Sequence, residues 1–156
     1  MTTHPPDFLQ GLAPDEVADV LALGSRTTLP GGTVVFQLGA EAASLFLVER
    51  GRVDLTLPIQ VGGRREELLV EERLPGQMVG WSALIPPHRF TLNAVAPLET
   101  ELIAFPRVAL LAHFAARPAV GYAVMAGVSA IIGHRLQVLQ AMWLREMQRG
   151  VALRSA

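Results

Sequence analysis

Apolar positions in PDFLQGLAPDEVADVLALGS fall at Val17, Val20, Leu21 and Leu23, three and four residues apart, after Pro14 and Asp15. That spacing predicts a short amphipathic helix ending at Gly24. The period then changes. TTLPGGTVVFQLG, SLFLVERGRVDLTLPI, ELLVEERLPGQMVG and RFTLNAVAPLETELIAF are short β-rich runs divided by Pro-Gly, Gly and Asn signals. Such a series predicts an antiparallel β-barrel or sandwich spanning about residues 26–105. The turn Glu49-Arg50-Gly51-Arg52 reads as a hairpin joining Leu45–Val48 to Val53, Leu55 and Leu57. QVGGRREE reads as an exposed hairpin tip, with Arg64 and Arg65 in solvent.

After Pro106 the helical period returns, and the helical part is expected over about residues 106–149. PRVALLAHFAARP predicts one short helix stopped at Pro118. The segment AVGYAVMAGVSAIIGHRLQVLQAMWLREMQRG predicts a single long helix of about 45 Å at about 1.5 Å per residue. Gly121, Gly127 and Gly133 weaken it by up to ~1 kcal/mol each where exposed, so close packing against neighbours is expected there. Val128, Ile131, Ile132, Leu136, Leu139, Met142, Trp143 and Met147 recur at helical spacing. So long an apolar stripe needs a partner. The expectation is a homodimer with Val128, Ile132, Leu136, Leu139 and Trp143 at the interface. A membrane-seeking patch around Trp143, Leu144 and Met147 is the weaker reading, because Glu146 interrupts the basic face of Arg145 and Arg149.

Composition narrows the function. A chain of 156 residues, 51% hydrophobic and 17% charged, fits one packed domain. With no cysteine, disulfides, thiolate metal sites and thiol catalysis are excluded. All thirteen basic residues are arginine, scattered and balanced by fourteen acids, which is no footprint for nucleic acid. MTTHPPDFLQGL does not read as a secretory leader, and the apolar run Ala119 to Gly133 falls short of the roughly 20 residues of a membrane span. A cytoplasmic protein is expected.

Catalytic and metal sites are not expected. His4, His88, His113 and His134 lack metal-ligand spacing, and no Gly-x-Ser-x-Gly turn occurs. Glu66, Glu67, Glu71 and Glu72 fall in an expected hairpin where alternation exposes half of them. A haem or metal role for His134 or His113 is a remote alternative.

The order of elements, and the run LPGGTVVFQLGAEAASLFLVERGRVDLTL (Leu29 to Leu57) with its Pro-Gly, acidic turn and Gly-Arg-Val, resemble the cyclic-nucleotide-binding domain family. The resemblance covers roughly Asp7 to Gln148. It implies a mixed α+β fold, an antiparallel jelly roll with a short N-terminal and a long C-terminal helix. It also implies a non-enzymatic regulatory or sensor module, taking a cyclic nucleotide or another phosphate-bearing small molecule. DNA-binding members carry a helix-turn-helix domain after the long helix. Here VALRSA follows, so operator binding by that route is not expected of this chain.

In that family a Gly-Glu pair opens a short helix, the glutamate holds the ribose hydroxyl, and an arginine about ten residues on pairs with the phosphate. The corresponding stretch here is GQMVGWSALIPPHRFTLNAVA. Gly80 keeps the glycine position, Trp81 replaces the glutamate, and Ser82, Ala83 and Leu84 suit the small helix. Without a gap the arginine position falls on Phe90, and Arg89 lies one residue early. With the loop IPPHR taken one residue shorter, Arg89 comes into register, and Phe90 and Thr91 then replace the usual small pair. Losing the glutamate removes a charge-assisted hydrogen bond of about 1.5–3 kcal/mol. Two readings follow. In one, the turn amides, the Ser82 hydroxyl and the Arg89 guanidinium form a modified anion site beside Trp81. In the other, Trp81 and Phe90 fill the pocket, Arg89 pairs with Glu71 or Glu72, and the domain is a ligand-free interaction scaffold.

Overall fold

The computed structural model describes residues 4–156. Asp7–Leu9 forms a single 3-10 turn, and α1 (Pro14–Leu21) follows with proline at its start. The Glu16 carboxylate reaches back to accept from the Ala13 N–H at 2.9 Å, so the helix entry is fixed from the helix itself. The helix ends at Leu21, short of Gly24. That glycine instead allows close passage over Ile103 and Phe105, where a Cβ would overlap both side chains.

Eight strands follow: β1 (Ser25–Leu29), β2 (Thr33–Phe36), β3 (Ser44–Arg50), β4 (Val53–Val61), β5 (Arg64–Arg73), β6 (Met78–Val79), β7 (Asn93–Ala96) and β8 (Thr100–Pro106). They form two four-stranded antiparallel sheets, ordered β1-β8-β3-β6 and β2-β7-β4-β5, in a jelly-roll arrangement. Alternation selects what lies between the sheets: Leu45 and Leu47 from β3, Val53 and Leu55 from β4, and Leu102 from β8 are all buried. The β4–β5 hairpin closes on Gly62-Gly63, both at positive φ, as its sequence predicts.

The turn at Gly51 is not a hairpin. β3 pairs with β6 and β8, whereas β4 pairs with β5 and β7, so the chain changes sheets there. Gly51 has φ +86°, and a Cβ on it would lie 2.5 Å from the Thr100 Oγ1 and 2.6 Å from the Glu99 carbonyl. A glycine wedged against the β7–β8 connection makes a corner, and local sequence does not distinguish that from a hairpin.

Beyond β8 come α2 (Arg107–Ala116) and α3 (Pro118–Ser155). The long helix has 38 residues, about 57 Å at 1.5 Å per residue, and continues past Gly150 where the sequence pattern fades. Its first half lies on the body of the protein. Val120, Val124 and Val128 are buried, and Phe8 of the first turn meets Phe105 edge to face at 6.0 Å beneath them. Gly121 packs on Phe114 and Gly127 on the Phe8 backbone, whereas Gly133 faces open space. Arg117, at the α2–α3 junction, pairs with Asp19 and Glu16 and ties α1 to it. By length and composition α3 is apolar enough to cross a membrane, with a window of mean hydropathy 1.3; the buried valines show what its first half packs against.

Candidate functional site

Gly80 ends β6 and starts the site. Its φ of +83° is a left-handed conformation that favours glycine, and a Cβ there would come within 3.1 Å of the Phe90 ring. Trp81–Ala83 is one 3-10 turn of three residues. Within it, the Ala83 and Leu84 N–H groups donate to the carbonyls of Gly80 and Trp81 at 3.1 and 3.0 Å. Those amides are thus engaged inside the turn. Ser82, Ala83 and Leu84 are buried, and Trp81 is half-buried.

The loop that returns from this turn decides what faces the hollow. His88 adopts φ +59° after the cis Pro86-Pro87 bond, and its Nδ1 lies 3.3 Å from the Ser82 carbonyl. Residues 88–90 then pair antiparallel with the segment around Gly39–Ala42. The Ala42 N–H donates to the His88 carbonyl at 2.8 Å, the Gly39 N–H to the Phe90 carbonyl at 2.8 Å, and the Phe90 N–H to the Ala40 carbonyl at 3.0 Å. In extended chain, successive side chains point to opposite faces. Phe90 therefore points inward and Arg89 outward. A shift of one residue along the chain separates an arginine in the hollow from an arginine in solvent.

Phe90 is buried and stacks on Phe36 with ring centroids 3.7 Å apart and planes within 6°. Phe46 continues the cluster 6.1 Å from Phe36. The hollow left among Gly80, Trp81, Ser82, Phe90 and Leu92 measures 10 Å³, about the least that admits one water molecule. Arg89 is exposed, and its guanidinium donates to the Gly39 carbonyl at 3.1 Å. It does not pair with Glu71 or Glu72. The expected convergence of the turn amides, Ser82 and Arg89 on one anion is absent from this geometry, because the arginine lies on the wrong face. Of the residues proposed from sequence, Gly80, Ser82, Ala83, Leu84 and Phe90 meet in the interior, Trp81 flanks them, and Arg89 and Thr91 are exposed.

An ion network beside the site has no signature in the sequence. Arg73, on β5 and 4% exposed, donates to Asp7 at 2.6 Å, to Glu71 at 2.7 Å and to the Met78 carbonyl at 2.9 Å. Asp7 also accepts from the Met78 N–H at 2.9 Å. On the far side, Glu71 accepts from Nε of Arg135 on α3 at 2.9 Å. The four charges sum to zero and link the first turn, the jelly roll and the long helix. Burial pushes the Asp7 carboxyl above its ordinary range despite Arg73. Burial acts on Glu71 in the same direction, but the Arg135 and Arg73 guanidiniums outweigh it and hold that carboxyl low. Burial also lowers Arg135, against the pull of Glu71. Each partner comes from a remote stretch of chain; the one hint is a lone arginine among Ile131, Ile132, Leu136 and Leu139.

The distal half of α3 presents another surface. Leu136, Trp143, Leu144 and Met147 are exposed, Trp143 at 63%. Val128 differs from the expectation: it is fully buried against the protomer's own core, and Ile132 packs partly against that core too. The exposed part of the stripe thus begins later than the periodicity suggests. Among the described residues there is no cluster of three metal-ligating side chains.

A sequence profile for the cyclic nucleotide-binding domain matches residues 26–117. The cyclic AMP receptor protein of Thermus thermophilus is 32% identical over 130 residues, 83% of this chain and 57% of that protein. This chain therefore spans little more than half of that relative. The crystal structure of the Thermus thermophilus catabolite activator protein superimposes with a TM-score of 0.63 at 31% identity, over 96% of this chain and 63% of the other. The N-terminal domain of a transcriptional regulator from Streptomyces coelicolor gives 0.68 at 24% identity, over 85% and 91% of the two chains, a likeness of fold alone. The match extends over more than half of the chain and the jelly roll carries the same order of elements, so this chain belongs to the cyclic nucleotide-binding domain family.

Proposed function

We propose that this domain is a non-enzymatic regulatory module whose inherited phosphate site is closed by Phe90, and that it acts through its long helix as a homodimer. The observation that carries the reading is the Phe36–Phe90 stack, 3.7 Å between centroids, which occupies the interior position that Arg89 misses by one residue. A cyclic phosphate in a buried site needs a charge-assisted partner, and a desolvated anion against a phenyl face has none. Trp81 in the position of the ribose-binding glutamate removes the second polar anchor. The regulatory role comes from the family. The homodimer is supported by the exposed Leu136 and Trp143 on a helix that extends past its own barrel.

Calorimetric titration of the purified chain with cyclic AMP and cyclic GMP tests the closed site. The expected result is no saturable heat up to millimolar nucleotide. Stoichiometric micromolar binding of either would overturn it.

A further inference from the structure

Beside the filled hollow lies a second, larger space. A groove of 310 Å³ runs between the barrel and α3, walled by Leu57, Trp81 and Leu92 on one side and Ile132, Leu136 and Leu139 on the other. That volume is at the lower end of the range for small-molecule sites. Arg135 lies at its inner end, bordering both this groove and the small hollow. The Arg135 side chain is 8% exposed, and its Nε is taken by Glu71. Among the described residues, neither terminal nitrogen of Arg135 donates to a protein acceptor. A guanidinium carries five N–H donors, and those on the two terminal nitrogens are left to whatever fills the groove.

We infer that this groove binds an apolar monocarboxylate, an aliphatic or aryl acid whose carboxylate meets the terminal nitrogens of Arg135 and whose hydrocarbon lies along Leu57, Leu92, Ile132 and Leu139 against Trp81. Three features select that class. A planar fork of two nitrogens matches a carboxylate in bidentate geometry. A second negative charge would find no free cation, since Arg73 is committed to Asp7 and Glu71. The groove wall offers a ribose or sugar little besides the Thr91 hydroxyl, so a polyhydroxylated ligand would leave buried hydroxyls unpaired. Because one wall is α3, an occupant holds that helix against the barrel. The inference deepens the regulatory reading by naming a ligand class, and it is separable from the closed phosphate site.

The test uses the whole chain and decanoate, with decanol and methyl decanoate as uncharged controls. Calorimetry is expected to show saturable decanoate binding at one site per chain, with the controls weaker by about tenfold to a hundredfold, the range of one charge-assisted hydrogen bond. In a Trp143→Phe variant, Trp81 is the sole indole, and 10-bromodecanoate is expected to quench its fluorescence saturably, in competition with decanoate. Arg135→Met combined with Glu71→Gln leaves no uncompensated acid and should bind decanoate and decanol equally. Leu139→Asp, at the groove's exposed edge, keeps the ion network and should abolish quenching. Equal affinity for acid and alcohol in the wild type, quenching without saturation, or a stable dimer that binds no decanoate because a second copy covers the groove would each overturn the inference. Cyclic AMP binding would overturn the closed phosphate site and leave the decanoate result standing.

Discussion

Phe90 lies face to face with Phe36, centroids 3.7 Å apart, and the backbone that places it there turns the preceding Arg89 into solvent. One pair thus determines both what fills the interior and what is missing from it. Replacing Phe90 by alanine would remove the stack and leave a cavity, a loss of about 3–5 kcal/mol for a buried aromatic. Urea denaturation followed by far-ultraviolet circular dichroism measures it. Arg89→Ala removes only an exposed contact to the Gly39 carbonyl and should shift stability by no more than about 0.5 kcal/mol.

The corner at Gly51 makes a sharper demand than other glycine turns. Gly51→Ala combines φ +86° with overlap of Thr100 Oγ1 and the Glu99 carbonyl, so a loss above about 2 kcal/mol is expected. Gly39→Ala has nearly the same φ, +85°, in open space and should lose only about 1 kcal/mol. Comparing the two by thermal denaturation isolates the packing term. Equal losses would mean that Gly51 is needed for its backbone angle alone.

The ion network gives opposing pH dependences. Glu71 is held below its ordinary 4.5, so its stabilisation is present above that value and is lost as pH falls through its folded value. Asp7 is raised above 3.8, so its contribution has the reverse sign: it favours the folded state below 3.8 and is lost as pH rises through the folded value. In Glu71→Gln the first dependence is gone. Relative to wild type, that variant should gain stability as pH is lowered below about 4.5, measured as the difference in urea midpoint across the acid range. A constant difference would show that Glu71 does not titrate with folding.

Dimerisation is expected to depend on the distal half of α3. Leu136→Glu with Trp143→Glu places charge on the exposed stripe while leaving Val124 and Val128 in the protomer core. Sedimentation velocity should show a dimer for wild type and a monomer for the variant, with helical circular dichroism retained. A wild-type monomer at high micromolar concentration would remove the homodimer from the account.

The sequence discloses the fold well because period reports burial. Strand alternation in β4 and the glycine pair at Gly62-Gly63 are local signals, and they yield the β4–β5 hairpin directly. The corner at Gly51 is different: β3 and β4 look like hairpin arms, and only their pairing with β8 and β7 separates them. At the site, the one-residue displacement of Arg89 is legible from spacing, but its outward direction depends on pairing with Gly39–Ala42, some fifty residues away. Arg73 and Asp7 are 66 residues apart, and Arg135 and Glu71 are 64 apart, so no motif could announce their network. Val128 and Leu136 share one periodic stripe, yet the first is buried in the core and the second is exposed, at the edge of the groove that separates α3 from β4 and the Trp81 turn.

On the proposed reading, the Phe90 ring stands where a cyclic phosphate would have to enter. A crystal structure grown with millimolar cyclic AMP examines it most directly. The Phe90 ring is expected still on Phe36, with no nucleotide density beside Gly80. Phe90 swung out of the interior, with density for a cyclic phosphate against the Gly80 turn and the Arg89 guanidinium, would contradict it.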